Sequence, residues 1–426
     1  VVTGLSRSGK STLFTSLMAQ LNYRAQGLGG GGYDGLPLLS VLPSRLVQSV
    51  ELVEWKNSPA FPYQHNLQTL YARQWPDSTR SISTFAVDIT LRKENKLLQQ
   101  LLGNHVMRLI IHDYPGEWLI DLPMIDQSFT DWCAHSFAQQ ITEPQKSLAK
   151  DWHQLVSTFD FSSPANDSNA EQLINAYRRY LLLAKQDGLT RLQPGALLLP
   201  PETFELNRWG FCPLPAKITS NPRHPWVQLF QKRHRKFIKE WVIPFRNHFF
   251  RHSDQQIILT DLLEGLNFGK AYLHEIQETM NHLIASFTYG KRAWYERLHK
   301  PLGITKVAFV ATKIDMIPPQ EQANLLSLLK DITDGAQQQL AEHNVSFEHF
   351  TIASITATKI DQQDLLFKDP EGKTHRVQFK PIPKRISEFD DKAVYPFLKA
   401  IPPIIRHEGD IRSIHVDKLL DYMLRD

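Results

Sequence analysis

The chain has 426 residues, 42% of them apolar, a size at which one hydrophobic core usually stops growing, so a large or two-domain globular protein is expected. The formal net charge is only +4, and the two cysteines, Cys133 and Cys212, lack the spacing of a disulfide framework or a zinc site. The cysteine usage therefore predicts a reducing, cytoplasmic compartment. No apolar run approaches the roughly 20 residues that span a bilayer, which disfavours a membrane-spanning protein.

Residues 4–11 read Gly-Leu-Ser-Arg-Ser-Gly-Lys-Ser and match the phosphate-binding pattern G-x-x-x-x-G-K-[ST] without departure. An apolar strand precedes this loop, and apolar residues at helical spacing follow it over residues 11–21. The glycines let backbone N–H groups point at phosphate oxygens, the lysine reaches the β- and γ-phosphates, and the last serine binds Mg²⁺. The predicted nucleotide-binding residues of this loop are Gly4, Ser6, Arg7, Ser8, Gly9, Lys10, Ser11 and Thr12.

A predicted strand over residues 106–112 runs into a D-x-x-G pattern formed by Asp113 and Gly116. An aspartate at a strand end can hold Mg²⁺, and the glycine three residues later can donate its N–H to a γ-phosphate. Because Asp, Pro and Gly are also turn residues, a plain turn remains the alternative for this motif taken alone. Residues 83–90 read as a strand that pairs with residues 106–112 as a hairpin.

The next segment, residues 119–253, has helical periodicity in several places and no counterpart in a minimal nucleotide-binding domain. We therefore predict a mainly helical insertion domain between two parts of one nucleotide-binding domain, residues 1–118 and 254–426. The second part contains an extended excursion near residues 359–383.

Within the insertion, residues 223–251 carry eight basic residues and one acidic residue on an amphipathic helical pattern. Three interpretations are open. The basic residues form the solvated face of a packed helix, they contact anionic lipid headgroups or a membrane-bound partner protein, or they bind nucleic acid. The modest net charge of the whole chain disfavours nucleic acid.

A further apolar strand, residues 306–311, ends in Thr-Lys-Ile-Asp. The carboxylate of this aspartate would accept two hydrogen bonds from N1 and N2 of guanine, a pair of donors that adenine lacks. The lysine stem would lie along the base plane, and a loop that ends the strand from residue 347 would offer backbone N–H groups to guanine O6. The candidate base-binding residues are Lys313, Asp315, Met316, Ser354 and Ile355.

The three motifs occur in this order, each at a strand end, and resemble those of the Ras-like GTPase superfamily. Strands that alternate with helices imply an α/β fold with a mostly parallel sheet and nucleotide at its carboxyl edge. The resemblance also implies a switch segment that supplies a magnesium-binding threonine before the D-x-x-G strand. Thr79 is the candidate, so the predicted metal ligands are Ser11, Thr79 and Asp113. Trp75, Ser78 and Arg80 are candidate nucleotide contacts, against the alternative of a polar loop with a core tryptophan.

Two residues bear on hydrolysis. Glu117 stands where Ras-like enzymes often place a water-orienting glutamine, and a carboxylate suits that position poorly beside a negatively charged phosphate. Arg7 occupies the position of the arginine in the loops of atlastins and guanylate-binding proteins, where it acts as a finger in cis, often upon dimerisation. Such a finger is worth about 10³–10⁵ in rate. The alternative for Arg7 is a solvated or ion-paired side chain. The candidate catalytic residues are Arg7, Lys10 and Glu117.

Longer segments are more specific than the short motifs. Residues 113–123 read Asp-Tyr-Pro-Gly-Glu-Trp-Leu-Ile-Asp-Leu-Pro, and residues 261–269 read Asp-Leu-Leu-Glu-Gly-Leu-Asn-Phe-Gly. With the loop at residues 4–10, Ala-Thr-Lys-Ile-Asp at residues 311–315 and Ile-Ala-Ser-Ile-Thr-Ala-Thr-Lys at residues 352–359, the chain resembles the YcjX-like family of bacterial P-loop GTPases over nearly its whole length. The resemblance implies a cytoplasmic, stress-associated protein linked to the phage-shock (membrane stress) response and to an inner-membrane partner.

These observations predict a Mg²⁺-dependent GTPase that binds GTP or GDP and acts as a slow molecular switch, with a homodimer as one route to activation. The alternative is a non-hydrolysing, nucleotide-gated scaffold for a membrane-associated partner. Glu117 favours the scaffold, whereas Arg7 argues against it. An ATPase is disfavoured by Asp315, because adenine has no matching donors.

Overall fold

A computed structural model describes residues 1–4, 8–27, 34–43, 46–55, 60–77, 79, 82–91, 105–141, 143–189, 191–250, 253–285, 303–361, 364–390, 393, 395–396 and 398–425. The chain divides into two compact units. The first unit comprises Val1–Pro115, Ser253–Met280 and Tyr289–Asp426, and the second comprises Gly116–His252 and Asn281–Thr288. The boundary between the units therefore falls inside the D-x-x-G motif.

The described strands, in chain order, are β1 (Val2–Gly4), β2 (Val47–Glu54), β3 (Ser83–Leu91), β4 (His105–Asp113), β5 (Gln255–Thr260), β6 (Lys306–Ala311), β7 (Ser346–Thr351), β8 (Lys359–Asp361), β9 (Asp364–Lys368) and β10 (Thr374–Val377). The described α-helices are α1 (Lys10–Ala25), α2 (Tyr63–Tyr71), α3 (Phe129–Gln139), α4 (Gln145–Leu148), α5 (Lys150–Thr158), α6 (Asp167–Gln186), α7 (Gly195–Leu198), α8 (Leu206–Trp209), α9 (Ala216–Thr219), α10 (Pro225–Phe237), α11 (Ile243–Phe250), α12 (Leu262–Phe268), α13 (Lys270–Ala285), α14 (Pro319–Ile332), α15 (Asp334–Glu342) and α16 (Val416–Leu424). Gly116–Asp126, Ile314–Met316, Ile386–Glu388 and Glu408–Asp410 are 3₁₀ helices, and Ile238–Val242 is a π-helical turn.

The central sheet of the first unit is parallel, with the strand order β1-β5-β6-β7. Strand β6 is an almost continuous apolar run that is buried from Val307 to Ala311, as expected for a strand covered on both faces. Because the strands are parallel, their carboxyl ends lie at one edge of the sheet, and the P-loop, Asp261 and the Thr-Lys-Ile-Asp segment all begin there. The predicted α/β fold of a P-loop NTPase is confirmed.

Strands β2, β3 and β4 form a separate antiparallel sheet in that order. The predicted hairpin of β3 and β4 is confirmed, with Ser83 opposite Asp113. The hairpin packs on α1, where the Phe14 ring meets the Phe85 ring edge to face at a centroid separation of 5.4 Å. Its register brings the chain just before β3 to the same end as the last residue of β4.

One side-chain contact joins the end of β4 to the parallel sheet. The hydroxyl of Tyr114, the residue after β4, donates to Oγ1 of Thr3 on β1 over 2.9 Å. Thr3 also accepts from Nε2 of Gln256 on β5 over 3.0 Å. Asp113 is therefore held beside the strand that leads into the P-loop.

Several predicted boundaries were wrong. The sequence predicts one helix over residues 319–342, but α14 ends before Thr333 and α15 follows it. The Thr333 hydroxyl bonds back to the Leu329 carbonyl at 2.8 Å and lies 2.9 Å from Nε2 of His349, so its side chain competes with helical continuation. The small sheet β10-β9-β8 fills the excursion near residues 359–383, where only one short strand, residues 376–380, was predicted.

The C-terminal helix was also predicted too long. It begins at Val416 rather than near residue 411, because Ile414 pairs with Ala353 in an isolated β-bridge, which takes its backbone out of helical geometry. The sequence also predicts a helix over residues 270–298. It corresponds to α13 as far as Ala285, and residues 286–298 lie outside the described residues.

The second unit consists of helices α3 to α11 and the C-terminal turn of α13. Its core is aromatic: the Trp132 ring lies 5.0 Å from the Phe211 ring, and both pack against His234 of α10. The basic helix predicted over residues 226–250 is interrupted by the π-helical turn Ile238–Val242. In the parts of both units that the structure describes, no helix is long and apolar enough to cross a membrane.

Candidate functional site

The phosphate-binding motif lies between β1 and α1. Gly9 has a φ of +86°, a backbone conformation that side chains rarely adopt, and it immediately precedes the first residue of α1. Gly4 ends β1, and a Cβ built on it would lie 2.4 Å from Oγ of Ser8. Gly9 is therefore favoured by its backbone conformation, and a side chain at Gly4 would crowd Ser8. The N-terminus of α1 offers its unpaired N–H groups beside these residues.

Lys10 is the first residue of α1 and is nearly buried. Its Nζ donates to the carbonyl oxygen of Gly4 over 2.8 Å, so the ammonium group lies across the loop. Its positive charge also lowers the pKa of Asp113, which burial raises. The lysine is thus placed between the P-loop and the carboxylate at the end of β4.

Three oxygen-bearing side chains from different elements meet beside the loop. Oγ1 of Thr79 donates to Oδ2 of Asp113 over 2.9 Å, and it lies 3.2 Å from Oγ of Ser11 on α1. Asp113 is only 2% exposed, and within the described residues its Oδ1 has no hydrogen-bond partner.

This side-chain set suits Mg²⁺, because Mg²⁺ prefers oxygen ligands, and a buried carboxylate oxygen without a protein partner needs a cation or water. Among the residues that the structure describes, no group of three or more His, Cys, Asp or Glu side chains could hold a metal ion. The two hydroxyl groups and the carboxylate are a candidate metal site of a different composition.

Asp315 lies at the carboxyl end of β6, in the 3₁₀ turn Ile314–Met316, and is 6% exposed. Burial raises the pKa of its carboxyl group to about 6, although hydrogen bonds oppose the shift. One of those bonds comes from the backbone N–H of Ala357, which donates to Oδ2 over 2.8 Å. The Thr358 hydroxyl also donates to the Asp315 carbonyl oxygen.

The contacts to Asp315 identify a segment that the sequence analysis missed. We predicted the base-binding loop at Ser354 and Ile355, but it is Ala357 and Thr358 that contact Asp315. The Ser354 carbonyl instead accepts from the Ser16 hydroxyl over 2.5 Å, and Ile355 is buried in the core. The signal that was available is Thr-Ala at residues 356–357, because the base-binding loop of Ras-like GTPases has a Ser/Thr-Ala pattern, which Ser354 and Ile355 do not match.

Lys313 has a left-handed backbone conformation, with a φ of +61°. Its Nζ forms an ion pair with Oδ2 of Asp261, the residue that follows β5. Oδ1 of Asp261 accepts from the backbone N–H groups of Leu263 and Glu264 and so caps α12. Asp261 was not among the predicted site residues.

The remaining predicted residues of the first unit are placed as follows. Nε1 of Trp75 donates to the Ala400 carbonyl over 2.7 Å, and the ring packs against the hydrophobic core. Met316 is partly buried and packs beside Leu365 and Phe367. Thr12 is half-buried on the first turn of α1. Ser6, Arg7, Ser78 and Arg80 lie outside the described residues.

Gly116 and Glu117 begin the second unit. Glu117 is 9% exposed, and its carboxylate forms an ion pair with Nζ of Lys185 on α6. The 3₁₀ segment that follows is fixed within the same unit, because Asp121 accepts from the N–H groups of Gly195 and Ala196 over 2.7 and 3.0 Å. Burial raises the pKa of Asp121 to about 7.

Relatives and a family model identify the same protein family for this chain. The protein named Ras-like GTPase YcjX of Escherichia coli (strain K12) is 28% identical to this chain, covering 100% of it and 94% of the relative. The protein of the same name from Shewanella oneidensis is also 28% identical, covering 100% of this chain and 92% of the relative. A family model described as "YcjX-like family, DUF463" matches residues 1–426. The chain therefore belongs to the YcjX-like family.

Proposed function

We propose that this protein is a Mg²⁺-dependent guanine-nucleotide-binding protein that hydrolyses GTP slowly and acts as a molecular switch. The observation that carries the proposal is the arrangement at the carboxyl edge of the parallel sheet. There the P-loop follows β1, and the buried Asp315 follows β6 of the same sheet. Beside the P-loop lies the cluster of Ser11, Thr79 and Asp113. The names of the two relatives, both Ras-like GTPases, support it.

In this proposal Lys10 and the N–H groups at the start of α1 bind the β- and γ-phosphates. Ser11, Thr79 and Asp113 hold Mg²⁺, which neutralises charge on the phosphate oxygens. The Thr79 hydroxyl would bind the ion through a lone pair of its oxygen while its O–H still donates to Asp113.

Asp315 provides base selectivity. Its Oδ2 is already held by the Ala357 N–H, which fixes the plane of the carboxylate. A carboxylate oriented in this way accepts from N1–H and the N2 amino group of guanine, and adenine offers no such pair of donors. Lys313 contributes its aliphatic stem along the base.

Slow hydrolysis is supported by Glu117. Its carboxylate is nearly buried and engaged by Lys185, and it carries a negative charge where related enzymes use a neutral amide. Arg7 is proposed to supply the missing transition-state charge, in cis or within a homodimer. The competing function is a nucleotide-gated scaffold without hydrolysis.

The test begins with nucleotide-stripped protein titrated with fluorescent GTP and ATP analogues in Mg²⁺, beside the Asp315→Ala variant. Selective binding of the GTP analogue that disappears in the variant is expected. Equal binding of both analogues, unchanged in Asp315→Ala, refutes the guanine assignment.

Phosphate release measured at increasing protein concentration then separates the enzyme from the scaffold. A specific rate that rises with concentration and is lost in Arg7→Ala supports a finger supplied upon dimerisation. A wild-type rate equal to that of Lys10→Ala at every concentration favours the scaffold.

A second function is favoured by the exposed face of α10 and the turn after it. Lys232, Arg235, Lys236 and Lys239 recur at helical spacing and are exposed, whereas the neighbouring Arg233 is buried and paired with Asp167. We propose that these four exposed cations bind the anionic headgroups of the inner membrane or an acidic membrane-bound partner. Nucleic acid is the less favoured ligand, because the net charge is only +4.

Flotation with phosphatidylglycerol vesicles tests this surface, with phosphatidylcholine vesicles as the neutral control. Exchange of the four exposed cations for glutamine is expected to abolish flotation. Flotation that survives this exchange refutes the proposed surface.

We propose a helical domain, residues 119–253, inserted between the two parts of the nucleotide-binding domain, residues 1–118 and 254–426. The compact units differ slightly from these boundaries, because the second unit begins at Gly116 and also takes in Asn281–Thr288. The insertion follows directly on Gly116 and Glu117, so we propose that nucleotide state controls its position. The family relationship supports a role for this switch in the bacterial membrane-stress response, in the cytoplasm or peripherally at the inner membrane.

A further inference from the structure

The ends of β5 and β6 bring together two residues that are 52 positions apart in the chain, Asp261 and Lys313. The two strands are parallel neighbours, with Thr260 in register with Ala311. The N–H of Thr312 donates to the Thr260 carbonyl over 3.0 Å, so the pairing continues one residue beyond the strands. This fixes the backbone positions from which both side chains extend.

The two carboxylate oxygens of Asp261 have different partners. Oδ1 accepts from the N–H groups of Leu263 and Glu264 over 3.1 and 3.2 Å and caps α12, and Oδ2 pairs with the Lys313 ammonium. The Asp261 side chain is 6% exposed, so the cap holds it in one orientation away from bulk water. An ion pair whose acidic partner is fixed in this way restricts the longer partner more than a surface pair does.

The fixed Asp261 carboxylate restricts the side chain of Lys313. The Lys313 backbone is left-handed and its side chain is 34% exposed. A four-carbon stem has many rotamers, and a contact at its end restricts them. We infer that Asp261 is a positioning residue for base recognition: by holding the Lys313 ammonium, it keeps the lysine stem where the plane of the base would lie. This inference rests on the proposed guanine-binding function and adds to it a residue outside the Thr-Lys-Ile-Asp motif.

Asparagine separates the two roles of Asp261. Asp261→Asn keeps an oxygen that can cap α12, since asparagine is among the best capping residues, but it removes the charge that holds Lys313. Lys313→Met keeps an apolar stem of similar length and leaves the cap untouched. Asp334→Asn, an exposed change at the start of α15, removes the same charge elsewhere and serves as the matched control.

The measurement is the Kd of a fluorescent GDP analogue for nucleotide-stripped wild type, both single variants, their double variant and the control, together with thermal melting. Asp261→Asn and Lys313→Met are each expected to raise Kd by about five- to tenfold. The Kd of the double variant is expected not to exceed that of the single variant that binds more weakly. Asp334→Asn is expected to bind like the wild type. Melting temperatures are expected to stay close to that of the wild type, because the cap is retained.

Three results overturn the inference. The first is a wild-type Kd in Asp261→Asn with folding intact. The second is an Asp261→Asn effect that persists undiminished in the Lys313→Met background, which would place its action elsewhere. The third applies if Asp261→Asn proves to destabilise the fold: a wild-type Kd in Lys313→Met would then overturn the inference. A wild-type protein that binds ADP and GDP analogues equally refutes the proposed function itself, and with it this inference, so the two failures are distinguishable.

Discussion

The Thr79 hydroxyl donates to the Asp113 carboxylate over 2.9 Å, although the two residues are 34 positions apart in the chain. The contact joins the segment before β3 to the last residue of β4, and the antiparallel register of the hairpin makes it possible because Ser83 lies opposite Asp113. Ser11, at the start of α1, completes the group at 3.2 Å from Thr79. Three elements thus meet at the point where the proposed metal would bind.

If Thr79 is a metal ligand, Thr79→Val should weaken Mg²⁺-dependent binding of a GTP analogue by about tenfold or more, because valine has the same shape without the hydroxyl. Binding measured without Mg²⁺, in EDTA, should change little. Titration of GTP-analogue affinity against Mg²⁺ concentration checks this. Thr69→Val on α2 is the control, since the Thr69 hydroxyl bonds only locally to the His65 carbonyl. Equal Mg²⁺ dependence in Thr79→Val and wild type would contradict the assignment.

The structure brings Ser11, Thr79 and Asp113 together as the sequence predicts, and that they bind a metal stays a prediction. A P-loop serine and an aspartate at a strand end are recognisable from residue type and spacing alone. The β3–β4 hairpin then determines where Thr79 lies. The sequence did not predict which segment contacts Asp315, because Ser354-Ile355 and Thr356-Ala357 are both candidates. Only the hydrogen bond from the Ala357 N–H distinguishes them.

The pairing of Asp261 with Lys313 was also beyond sequence reasoning. It depends on β5 and β6 being adjacent, and no local pattern states which strands are neighbours. Strand β2, Val47–Glu54, was missed for a related reason: its alternation of polar and apolar residues is irregular, and its partner β3 determines its conformation. The break at Thr333 arises from the hydroxyl and His349, a contact with a residue 16 positions later.

Asp315→Asn should change the base preference rather than abolish binding. The asparagine amide offers one acceptor and one donor where the carboxylate offers two acceptors. Xanthine presents N1–H beside a carbonyl oxygen, which matches the amide, whereas guanine presents two donors. Competition binding with GDP and XDP should show a shift toward XDP of about 100-fold or more. Tighter binding of GDP than of XDP in Asp315→Asn would rule out direct recognition of the base by this residue.

The raised pKa of Asp315 predicts that guanine affinity depends on pH. Guanine requires the ionised carboxylate, and burial raises the pKa of the carboxyl group in the nucleotide-free protein to about 6. Affinity for GDP should therefore fall as the pH decreases through 6, approaching about tenfold per pH unit below it. Nucleotide phosphates titrate in the same range, so the pH dependence of the residual GDP binding to Asp315→Asn, whose amide does not titrate, supplies the correction. The prediction fails if the two proteins show parallel pH profiles.

The raised pKa of Asp315 also affects the stability of the nucleotide-free protein, which should increase as the pH falls, whereas guanine affinity decreases. A carboxyl group whose pKa is higher in the folded than in the unfolded protein destabilises the fold as the pH rises from about 4 to about 6. At neutral pH the ionised Asp315 costs on the order of 3 kcal/mol. Nucleotide-free Asp315→Asn should therefore melt at a higher temperature than wild type at pH 7.5, with the difference shrinking toward pH 4.5. A lower melting temperature at pH 7.5 would contradict this reasoning.

Gly195 is expected to be indispensable to the second unit for a steric reason. A Cβ at this position would lie 1.8 Å from the carbonyl oxygen of Glu117, so Gly195→Ala cannot be accommodated without moving the backbone after Gly116. The same movement would break the bonds from Gly195 and Ala196 to the buried Asp121. We expect a loss of about 3 kcal/mol or more in the free energy of unfolding of this unit.

Gly372→Ala is the matched control for that change. Gly372 has a φ of +81°, but no atom lies within 4 Å of the position that a methyl group would take, so alanine there should cost only about 1 kcal/mol through backbone strain. Urea unfolding followed by tryptophan fluorescence reports mainly on the second unit, because six of the nine tryptophans of the chain lie in it. If Gly195→Ala unfolds at the same urea concentration as Gly372→Ala, the close packing of the segment after Gly116 is not what holds this unit together.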